Sequence, residues 1–131
     1  MATSTSALAA ALCALLAACA RDAPQAARAV DAAEWLRLTC GVTLAAGAGT
    51  AAATVERGKP GQGWTTWVSG HAEIAAEARP TVEAALRANR ALHLRGASAT
   101  RHSYESYDDA AVHQECEYDK AAGVLFFRYI R

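Results

Sequence analysis

His113, Glu115 and Glu117 recur at every second position in the run Val112-His-Gln-Glu-Cys-Glu-Tyr118. On an extended strand that spacing puts all three on one face. An imidazole and two carboxylates gathered this way offer metal ligands or an acid–base pair. They suit equally the solvated side of a sheet, with Arg101 and Arg128 as cross-strand partners and His102 on a neighbouring strand. No spacing in the set is diagnostic of a metal. The expectation is therefore the solvated face, with no metal and no cofactor. Cys116 has the opposite parity to His113, so the two point to opposite faces and form no thiol–imidazole dyad.

Other candidate chemistry is thinner. His71-Ala-Glu73 matches half of a zinc deaminase signature, but the Pro-Cys-x-x-Cys half is missing, and an exposed strand or loop histidine is the simpler account. The sequence holds neither His-Glu-x-x-His nor a Gly-x-Ser-x-Gly elbow. Gly58-Lys-Pro-Gly-Gln-Gly63 lacks the Lys-Ser/Thr ending of a phosphate loop and reads as a turn. Trp64 and Trp67, next to that loop, either floor a binding groove or fill the core. Tyr104, Tyr107 and Tyr118, with Asp108 and Asp109, add a polar-aromatic rim suited to protein contact. Binding without catalysis is the expected activity, with another protein as partner. Thirteen basic residues balance thirteen acidic ones, which gives no electrostatic case for nucleic acid.

The cysteines and the opening segment bear on compartment. No charge occurs before Arg21, and residues 7–20 form an unbroken apolar run of fourteen. A membrane-spanning helix needs about 20 such residues, whereas a signal peptide needs fewer. Leu16-Ala17-Ala18-Cys19 resembles the lipobox of bacterial lipoproteins. That resemblance implies lipidation of Cys19, a membrane anchor and an envelope, periplasm-facing location. Ala18-Cys19-Ala20 also fits ordinary signal cleavage, which would give a secreted protein. The opening lacks the usual Lys or Arg, so an intracellular interaction module stays open. The expected division is a signal region at 1–20, which holds both candidate cuts, and one domain at 21–131. Cys13 is then removed and Cys19 lipidated or removed, so Cys40 and Cys116 remain as free thiols, and an oxidising compartment would pair them.

The elements expected to position these residues form an α+β domain, with one or two helices packed on a mostly antiparallel sheet. A first helix is expected over 24–39, capped by Asp22 and ended by Gly41, with Cys40 at its tip. Weak strands are expected at 42–46 and 51–56, with a strand at 64–68 that turns at Ser69-Gly70 into a second piece at 71–75. A second helix starts at Pro80 and runs through Leu92 to Gly96. Strands are expected at 97–106, 112–118 and 124–130. Cystatin-like and nuclear-transport-factor-like domains share such a helix-on-sheet shape. By that fold-level analogy, a small-ligand or enzymatic pocket behind the sheet is the alternative function.

Overall fold

The computed structural model describes residues 27–108 and 111–131. Seven strands form one sheet: β1 (Arg28–Val30), β2 (Gly49–Arg57), β3 (Thr66–Ile74), β4 (Leu92–Ala97), β5 (Arg101–Ser106), β6 (His113–Asp119) and β7 (Val124–Ile130). Their spatial order is β1-β2-β3-β7-β6-β5-β4, and every neighbouring pair is antiparallel. Helices α1 (Ala32–Cys40) and α2 (Arg79–Ala88) complete the α+β fold, in which strand predominates. No helix among the described residues is long and apolar enough to cross a membrane.

The core lies between the helices and one face of the sheet. Alternation along β3, β6 and β7 sends Val68, Ala72, Cys116, Tyr118, Leu125 and Phe127 to that face. Leu36 and Cys40 of α1, with Val82 and Leu86 of α2, meet them in one buried cluster. Asp31 begins α1: its Oδ1 accepts the Glu34 N–H at 3.4 Å. Gly41 ends it in the left-handed region, at φ 71°, and its N–H donates to the Arg37 carbonyl. That exit directs Cys40 down onto β6, where it is disulfide-bonded to Cys116 with the Cα atoms 6.0 Å apart. Both sulfurs are buried, so the bond fastens α1 to the sheet through the core. Burial also pushes the Tyr118 phenol above its ordinary pKa, and nearby Glu83 adds to the rise.

Several expected elements differ, each for a local reason. The expected cap at Asp22 lies outside the described residues. Arg28–Val30 add a short strand to the free edge of β2 instead of beginning the helix, because pairing with Ala53–Val55 outweighs local helix preference. Residues 42–46 form no strand, and Val42 is instead buried in the core. Ser69-Gly70 is no turn: β3 runs straight through it. Gly70 pairs with Phe127, and a side-chain carbon at Gly70 would overlap the Phe127 ring and crowd the Ala52 carbonyl at 2.8 Å. Helix α2 stops at Ala88, because Asn89 goes extended and its Oδ1 accepts the Ala91 N–H at 3.0 Å. Leu92 therefore starts β4 and does not extend the helix. The expected 97–106 strand is a hairpin end: Ser98 Oγ accepts the Arg101 N–H at 3.1 Å and turns β4 into β5.

Candidate functional site

Among the described residues no helix packs on the second face of the sheet, and residues of the opposite parity line it. One row of register partners crosses five strands there: His93, Glu105, Glu115, Arg128 and Ser69. Two neighbouring acids, Glu105 and Glu115, stand at its centre, with His93 on one side and Arg128 on the other. Arg128 Nη2 lies 3.0 Å from Glu115 Oε2, and Arg95 Nη1 lies 3.0 Å from Glu105 Oε2. Glu115 Oε1 meets His113 Nε2 at 2.9 Å, and Glu105 Oε1 faces His93 Nε2 at 3.7 Å. A second tier follows, where Arg101 reaches Glu117 at 2.9 Å and Asp119 at 3.6 Å. Exposed pairs of this kind add little to stability, typically about 0–1 kcal/mol each. Their effect is to fix long side chains in place.

An aromatic shelf borders the row. Arg128 lies over the Trp67 ring, 5.6 Å from its centre, and Trp67 Nε1 donates to Ser69 Oγ at 3.0 Å. Trp64 packs edge-on against Trp67 at 5.5 Å. Phe126 stands beside them with 47% of its surface exposed, although it lies in the central strand β7. Shelf and row enclose a groove of about 570 Å³. Its lining carries Glu105, Glu115 and Glu117 against Arg95 and Arg128, three acids to two bases. The groove offers an apolar platform, fixed donors and acceptors, and a slight excess of negative charge.

The residues picked out from sequence fall into three groups. His113, Glu115 and Glu117 share the open face, with Arg101 and Arg128 as cross-strand partners, as the alternation implies. Trp67 lines the groove, and Trp64 props it from the side, so neither belongs to the buried core. Tyr107 is exposed and stacks on His93 with ring centres 4.9 Å apart. Three placements need correction. Tyr104 is only 6% exposed and Tyr118 1%: both point under the helices, so their side chains offer no binding surface. His102 faces the same way, opposite Tyr118, and is absent from the His113 face. Cys19 and the 1–20 boundary lie outside the described residues.

Sequence reasoning missed His93, Arg95, Glu105 and Phe126. The alternation in Leu92-His-Leu-Arg95 was the available signal for the first two, hidden by a helix stripe carried too far. The chain matches no protein-family model, no curated protein and no solved structure.

Proposed function

We propose that this chain is an exported envelope protein, anchored through lipid on Cys19, that binds another protein with the open face of its sheet. The observation that carries the reading is the groove: an exposed Phe126 and a fixed Trp67 beside an ordered row of charges. Exposed aromatic anchors ringed by paired charges are the usual makings of a recognition surface. Three glutamates against two arginines favour a partner segment with net positive charge and one apolar side chain for the Phe126 shelf. Export is supported by the Cys40–Cys116 bond, since such bonds persist in oxidising compartments, and by the apolar run before Cys19.

The alternative small-ligand reading puts its pocket behind the sheet. That space holds Leu36, Tyr118, Leu125 and Phe127, which favours the open face.

Two measurements test the proposal. Intact mass of the membrane fraction should show a diacylated or triacylated chain beginning at Cys19, and Cys19→Ser should release the protein. A full-length chain in the cytosol with free thiols would refute the export claim. The partner recovered with the wild-type chain should be lost from a Trp67→Ala/Phe126→Ala variant. Undiminished recovery would refute the assigned surface.

A further inference from the structure

We propose that a divalent transition cation of the zinc class binds at the margin of the groove, with Glu105, His113 and Glu115 as its protein ligands, the two glutamates also lining the groove. Nothing in this assignment depends on the groove taking a protein partner.

The argument starts from a placement that sheets avoid. Glu105 and Glu115 are register partners on one face, and like charges set directly opposite repel. The arginines at either end relieve this only in part, because each takes a single oxygen. Arg95 holds Glu105 Oε2, and Arg128 holds Glu115 Oε2. Both Oε1 atoms are left for histidine: His113 Nε2 at 2.9 Å from Glu115, and His93 Nε2 at 3.7 Å from Glu105.

Donor atoms of Glu105, His113 and Glu115 all lie within 4.8 Å of one another. Ligands bound at about 2.1 Å in a tetrahedron stand about 3.4 Å apart. Small side-chain rotations close that difference, with no movement of the strands. The cation would take the place of the His113–Glu115 hydrogen bond and neutralise the facing carboxylates.

The surroundings are those that a metal site requires. Ligating carboxylates are ordinarily held by outer hydrogen bonds, and here Arg95 and Arg128 supply them. Imidazole nitrogen selects zinc-like cations over magnesium, which prefers an all-oxygen shell. The groove above leaves a fourth position open to water or to a donor from outside the chain. Glu105 is the least exposed of the three, its side chain 17% accessible, so it forms the floor of the site.

The test is calorimetric titration of the full, disulfide-bonded chain with Zn²⁺ alone. One-to-one saturable binding is expected. Substitution of an outer-shell residue typically costs about 10–100-fold in affinity, so His113→Ala and Glu105→Gln should each weaken it by about 100-fold or more. His71→Ala, on the same face but on β3, two strands away from His113 and Glu115 on β6, should leave it unchanged. Nitrogen-15 NMR of wild-type imidazoles supplies a readout that needs no variant: Zn²⁺ should shift His113 and leave His71 and His102 in place. Absence of saturable binding, binding retained in both ligand variants, displacement by equimolar Mg²⁺, or a shift at His71 or His102 in place of His113 would each overturn the assignment. None of these results would bear on loss of a protein partner from the Trp67→Ala/Phe126→Ala variant.

Discussion

Replacing both bonded cysteines, in a Cys40→Ala/Cys116→Ala variant, should cost the domain a large share of its stability. The bond spans a sequence separation of 76 residues. In the chain-entropy treatment, closing a loop of that length removes about 15 cal/mol/K from the unfolded chain, or about 4.5 kcal/mol at 25 °C. Loss of two buried sulfur atoms adds about 1 kcal/mol of packing on top. Domains of this size have a total of about 5–15 kcal/mol. The variant should therefore be marginal, with a midpoint of thermal unfolding lower by about 20–35 °C. Urea unfolding followed by circular dichroism measures the difference directly. The variant should also show a steeper urea dependence, because its unfolded state exposes more surface. A loss below about 1 kcal/mol with an unchanged slope would refute the role given to the bond.

Other expectations follow from the packing and the open face. Gly70→Ala should destabilise by about 1–3 kcal/mol, because the new methyl meets the buried Phe127 ring; equilibrium unfolding checks this. Leu36→Ala, at a fully buried position of α1, should cost about 2–5 kcal/mol in the same assay. Tyr118 has a folded-state pKa raised by burial, so its contribution is fully present below the unfolded value of 10.0 and is lost as pH rises through the folded one. Stability should fall in that alkaline range, and Tyr118→Phe should flatten the fall. Arg128→Ala should leave stability within about 0.5 kcal/mol while changing Trp67 fluorescence, since the guanidinium covers that indole.

What could be read from sequence follows the range of the forces involved. Helix α1 ends where expected because Gly41 acts on its own neighbours, and β6 and β7 are legible because alternation and β-branched or aromatic content are local. The same alternation put His113, Glu115 and Glu117 on one face and chose Arg101 and Arg128 as partners. Elements made by distant pairing stayed hidden. Arg28–Val30 become a strand only because β2 offers an edge, and Ser69-Gly70 stays extended only because Phe127 fills the space above the glycine. Tyr104 looked like a rim residue from its polar neighbours, yet its register against Cys116 buries it. Glu105 escaped notice for the converse reason: its importance comes from the strand opposite.

The claim that the sheet face opposite α1 and α2 is the working surface can be tested in intact cells that produce the full chain. A photoreactive phenylalanine analogue is placed either at Phe126, on the groove shelf, or at Leu38, exposed on α1. The account predicts a discrete protein adduct from position 126 and none from position 38. An adduct from position 38 with none from 126 would contradict it.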